Sequence, residues 1–173
     1  MLTIGHSTLP IEVFIRALRD NHVALLIDVR TIPRSRHNPQ FGIEELPASL
    51  RSAGIEYNWM QALGGYRKKI REESPHIGLR NESFRNYADY MLTPEFEGAM
   101  AQLIALADAG RTAYMCAERV YFRCHRMLVS DWLLGHGHEV MHIDGAGPMK
   151  AHRLTEEARM INGELIYRGD RLL

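Results

Sequence analysis

Val23-Ala24-Leu25-Leu26-Ile27-Asp28-Val29-Arg30 decides the fold. Five consecutive apolar residues are followed by an acid, a valine and a base. A run of this kind fits a central parallel strand covered on both faces. Upstream, Ile11, Phe14, Ile15 and Leu18 recur at helical spacing. Pro10 belongs in the first turn of that helix, and Ser7 or Thr8 is placed to cap it. Residues 2–5 read as a short buried strand. The chain therefore opens as strand, helix, strand.

The alternation continues downstream. Residues 31–41 hold two prolines and many polar groups, so they form a loop. Residues 44–53 read as a helix stopped by Gly54, and residues 55–59 as a third strand. Residues 61–81 form a long loop carrying Gly64-Gly65-Tyr66-Arg67-Lys68-Lys69. Helices are expected over residues 83–91 and 95–109, a fourth strand over 112–117, a helix over 126–134 and a fifth strand over 140–143. Tyr87, Tyr90 and Met91 belong to the core. The tail, residues 149–173, has room for one helix and a hairpin around Asn162-Gly163. Strands alternating with helices predict a single three-layer, Rossmann-like α/β domain over residues 1–173, with a mostly parallel sheet of about five strands.

Composition narrows the function classes. The chain has 173 residues, 46% of them hydrophobic and 24% charged, an ordinary balance for a folded globular protein. Twenty-one basic residues balance 21 acidic ones, so no global charge draws the protein to nucleic acid or to a membrane surface. Of the bases, 18 are Arg and 3 are Lys. Arg makes bidentate forks with carboxylate or phosphate, whereas Lys is a point charge. Genomic base composition alone produces such a bias, so the positions of the arginines must decide. Two cysteines are too few for a disulfide scaffold. Neither a signal peptide nor a membrane span is legible, which leads us to expect a cytoplasmic protein with reduced thiols.

In open α/β sheets, ligands bind beyond the carboxyl ends of the strands. Those ends carry Gly5-His6-Ser7, Asp28-Val29-Arg30, Cys116-Ala117-Glu118 and His142-Ile143-Asp144. The segment from Cys116 through Glu118 to Cys124-His125-Arg126 is the most specific. It sets two thiols, an imidazole and a guanidinium between a strand end and a helix start. A helix N-terminus stabilises anions and lowers a thiol pKa. Cys116, Glu118, Cys124 and His125 are the candidate catalytic residues. The spacing is not that of a zinc knuckle, whose paired ligands lie about two to four residues apart; seven residues separate Cys116 from Cys124. A metal is therefore only weakly signalled, and no cofactor is assigned. Candidate substrate-binding residues are His6, Ser7, Asp28, Arg30, Ser35, Arg36, Gln40 and Arg126. Asp28 and Arg30 also suit a structural ion pair, since they lie two apart on one face of an extended segment. The basic loop after Gly64-Gly65 reads either as a lid over an anion or as a solvated face.

Several motifs in order resemble the family described as domain of unknown function 488. They are Thr3-Ile4-Gly5-His6-Ser7, Asp28-Val29-Arg30, Ser35-Arg36, Pro39-Gln40-Phe41, Leu63-Gly64-Gly65, Tyr87-Ala88-Asp89-Tyr90-Met91, Met115-Cys116-Ala117-Glu118 and Cys124-His125-Arg126. The resemblance spans residues 2–145, leaving 146–173 as a C-terminal extension. Members often carry an acid and a proline before the Cys-His-Arg, where this chain has Arg119-Val120-Tyr121-Phe122-Arg123. The resemblance implies a compact α/β domain and no settled reaction.

The leading expectation is a small enzyme acting on a phosphorylated, nucleotide-like or nucleic-acid substrate, with arginines anchoring the anion. One alternative is a metal-binding or thiol-redox protein using Cys116, Cys124 and His125. The other is a non-catalytic, anion-binding sensor or adaptor. An anionic small molecule or a nucleic acid is the expected partner, with no membrane involved and protein partners open.

Overall fold

The structure, a computed structural model, describes residues 1–145 and 147–169. A six-stranded sheet runs in the order β3-β2-β4-β1-β5-β6. Its strands are β1 (Leu2–Gly5), β2 (Leu25–Asp28), β3 (Glu56–Trp59), β4 (Thr112–Cys116), β5 (Met141–Ile143) and β6 (Lys150–Ala151). The first five are parallel, and the two-residue β6 pairs antiparallel with β5 at the edge. The apolar 23–27 run leads into β2, which lies between β3 and β4.

Alternation within each strand sends side chains to two cores. Leu26, Ile4, Ala113 and Met115 meet Phe14 and Leu18 of α1 (Ile11–Asp20) and Leu46 and Leu50 of α2 (Leu46–Ser52). Ile27 and Tyr114 on the opposite face meet α3 (Glu82–Tyr90), α4 (Pro94–Asp108) and α5 (Arg126–Gly135). The result is a three-layer, Rossmann-like sandwich.

Two local expectations give way. Ser7 does not cap α1. Its backbone takes a left-handed φ of 48°, and its N–H donates to the Ala117 carbonyl at 2.8 Å, so Ser7 ties β1 to the loop after β4. Pro10 precedes the first helical residue, and no side chain caps that end. The tail holds no helix among the described residues. It makes β6 and then a hairpin of β7 (Ala158–Ile161) and β8 (Glu164–Tyr167). That hairpin turns at Asn162 (φ 52°) and Gly163 (φ 85°), the paired positive φ angles that a two-residue turn demands. Ala158, Leu165 and Tyr167 bury themselves in the α5-side core. A docked hairpin thus covers apolar surface where the residue count also allowed a helix. No helix among the described residues is long and apolar enough to cross a membrane.

Candidate functional site

The loops following β1, β2, β3 and β4 all leave the same edge of the sheet, because the strands are parallel. At the end of β4 stands Cys116, half-buried. The chain then turns through a short 3-10 segment, Tyr121–Arg123, and enters α5. Cys124 and His125, both buried, sit at that entry. The Cys116 Sγ lies 3.8 Å from His125 Nδ1, and the Cys124 Sγ lies 3.6 Å from the same atom. The three atoms all fall within 4.8 Å of one another.

The other ring nitrogen explains the orientation. His125 Nε2 lies 2.9 Å from the carbonyl of Val29, the residue just beyond β2. A carbonyl only accepts, so Nε2 carries the proton it donates. In the neutral ring, Nδ1 is then a bare lone pair facing both sulfurs. The hydrogen bond from Cys116 holds the Cys124 thiol far below its usual range, aided by His125 and Arg126. The same bond, with burial, pushes Cys116 up. Gly65 closes over the ring: a Cβ there would lie 2.5 Å from His125 Nδ1. Gly64 packs equally closely against Thr31.

Two of the arginines assigned to the anion, Arg30 and Arg126, have other partners. Arg30 is buried and forms an ion pair of 2.5 Å with Asp28. Its guanidinium also donates to the Phe41 carbonyl at 2.8 Å and lies 3.3 Å from His6 Nε2. Asp28 is completed by the Tyr57 hydroxyl at 2.8 Å. His6 donates from Nδ1 to the Ser7 carbonyl and stacks on Phe41 at 4.2 Å. Burial pulls its imidazole down to about 4, so it stays neutral. Arg126 is buried too, donating to Thr3 Oγ1 and to the carbonyls of Glu118 and Arg119. It fixes the β4–α5 loop against β1. Gly5 makes room for this, since a Cβ there would collide with the Glu118 carbonyl.

The remaining candidates lie outside these buried networks. The Glu118 side chain is exposed. Ser35 Oγ accepts from the Asn38 N–H at 3.0 Å, and Gln40 donates to the Leu9 carbonyl at 3.2 Å, so both brace the loop after β2. Arg36 is exposed on that loop. The lid reading of the 64–69 segment changes: Arg67 folds back onto the carbonyls of Gly64 and Ala62 and rests 3.7 Å over the Tyr90 ring.

The model of the family described as "Domain of unknown function DUF488" matches residues 10–133. The chain belongs to this family. No curated protein and no solved structure matched it. In this DUF488 chain the matched span encloses the Asp28–Arg30 pair and the whole cysteine–histidine cluster, whereas β1 with His6 and Ser7 precedes it.

One buried network escaped the sequence. Asp131 of α5 accepts from His152 Nε2 at 2.8 Å, from Thr155 and from the Tyr167 hydroxyl. His152 Nδ1 in turn meets His142 Nε2 at 3.0 Å. Tyr121 stacks on His142 at 3.6 Å, and burial pulls His142 down to about 3. These partners pin the C-terminal extension to α5 and β5. They lie up to 36 residues apart, at no spacing that marks them as partners.

Proposed function

We propose that the protein is a metal-dependent enzyme acting on an anionic substrate at the strand-end rim, with Cys116, Cys124 and His125 as the metal ligands. The geometry that carries this reading is the orientation of His125. Its Nε2 is tied to the Val29 carbonyl while Nδ1 faces two sulfurs, all three donor atoms lying within 4.8 Å. A metal-bound imidazole characteristically donates its second N–H to a carbonyl or carboxylate, which fixes the ring and raises its basicity. Two thiolates and one imidazole suit zinc or a similarly soft divalent ion. Three protein ligands leave a fourth position for water or a substrate oxygen, the pattern of catalytic rather than structural zinc sites.

Cobalt(II) titration of the metal-free protein tests this reading. The expected result is one cobalt per chain, with a thiolate-to-cobalt charge-transfer band that zinc displaces. Cys116→Ser and Cys124→Ser should each weaken the band, and His125→Gln should lower the affinity. A protein that binds no cobalt, or whose band survives all three substitutions, overturns the centre. The closeness of the two thiols favours a second reading, a redox pair. Under that reading, glutathione disulfide converts both thiols to an intramolecular disulfide, releasing two glutathione thiols, and cobalt gives no band.

A further inference from the structure

The rim around the cluster has a composition that the buried centre does not explain. Three loops meet there: the one after β2, the one after β3 and the one between β4 and α5. They are stitched together. Tyr66 N–H donates to Thr31 Oγ1 at 3.0 Å, Gln61 donates to the Thr31 carbonyl, and Gly65 packs on His125. From this joined surface Arg34, Arg36, Lys68 and Arg123 extend into solvent. None of the four makes a side-chain hydrogen bond or ion pair with the described residues. Residues 29–43 and 60–71 contain no acid. Glu118 is the exposed acid of the third loop, and Arg119 is paired with Asp144.

Two of the same loops also carry flat side chains left bare. Tyr66 is 74% exposed and Phe122 56% exposed, although both sit on anchored backbone. Tyr66 has no ring partner among the described residues, and Phe122 meets only Tyr121, edge to face with centroids 5.5 Å apart, so both leave ring surface open to a ligand. Phosphates spaced along a chain suit the cations, and unpaired bases suit the rings. A duplex hides its base faces, so the rings select against it. An acidic peptide satisfies the cations but leaves the rings idle. The zero net charge of the whole chain confines the attraction to this patch.

We infer that the rim binds a single-stranded nucleic acid, its backbone on Arg34, Arg36, Lys68 and Arg123 and its bases against Tyr66 and Phe122. This rests on the reading that the active rim is the one around Cys116, Cys124 and His125, and it names the substrate class of that site.

Fluorescence anisotropy with a labelled, mixed-sequence oligonucleotide of about 12 nucleotides is the test. The full chain is used, once treated with EDTA and once loaded with cobalt. Binding is expected below about 100 μM protein. Tyr66→Ala should weaken it about tenfold, by loss of one stacked base. The Arg34→Ala/Arg36→Ala double variant should lower the salt slope by about 1.4, at about 0.7 for each phosphate that is no longer neutralised. An Arg16→Ala/Arg19→Ala control on α1, away from the rim, should match the wild type. The proposal is overturned if no binding occurs in that range, if a duplex of the same sequence binds as tightly, or if the control weakens binding as much. Equal competition by poly-glutamate at matched charge also overturns it, in favour of an acidic peptide. Oligonucleotide binding by a protein that takes up no cobalt removes the metal centre and leaves the surface. Cobalt binding without oligonucleotide binding does the reverse.

Discussion

The ends of β2 and β4 are adjacent in the sheet and equally polar in sequence, yet they are built in opposite ways. At the β2 end every group is matched. Asp28 accepts from Arg30 and Tyr57, and Arg30 also serves Phe41 and lies against His6. At the β4 end Cys116, Cys124 and His125 converge with only weak sulfur contacts, and the imidazole lone pair faces two sulfurs. Buried groups that saturate one another make scaffold. Buried groups that converge on a common point without saturating one another make a place for something else. Arginine content therefore misleads here: the most deeply placed arginines, Arg30 and Arg126, are held by structural partners, whereas Arg34, Arg36 and Arg123 stand exposed on loops without a side-chain partner among the described residues.

The sharpest way to break this contrast is Asp28→Ala. It strands a buried guanidinium and should cost about 3–5 kcal/mol of stability by urea denaturation. A loss under about 1 kcal/mol would mean that the pair is not scaffold.

An effect of the same order is expected from pH. His6, His76 and His142 are buried, and burial holds them at about 4, about 4 and about 3, against 6.5 when free. The unfolded chain takes up protons below about 6.5 that the folded chain refuses. Stability should be intact above that value and fall steadily as the pH drops toward 4. His6 faces Arg30, Asp28 and Arg126; His76 faces Asp89 and Arg71; His142 faces His152 and Arg126. Urea midpoints that stay flat between pH 7 and 4.5 would show these imidazoles to be readily protonated in the fold.

The smallest effect belongs to Cys116→Ser. At a half-buried site where the serine hydroxyl keeps the thiol's capacity to hydrogen-bond, the cost should stay below about 1 kcal/mol. A loss comparable to that of Asp28→Ala would make the β4 end scaffold as well.

The two ends also mark how far the sequence could be read. The 23–27 run, the helical spacing of Ile11 to Leu18 and the Gly54 stop made the α/β order legible, because periodicity and backbone chemistry are local. The Asn162-Gly163 turn was legible for the same reason. The tail helix was not excluded locally, since only the space beside α5 favours a hairpin. Cys116, Cys124 and His125 could be singled out from their place between strand and helix. Their convergence could not, because it depends on a contact between His125 and the Val29 carbonyl, 96 residues away.

By itself, the sequence determined which groups stand at the strand ends and that those ends share a rim. It also determined that arginine is the cation, since the counts are fixed at 18 and 3. Only the tertiary structure decided which of those groups are consumed and which remain available. Hydrogen bonds from a guanidinium or an imidazole are short and directional. Their partners come from whichever segments the fold brings within about 3 Å, and no local pattern of residues specifies that.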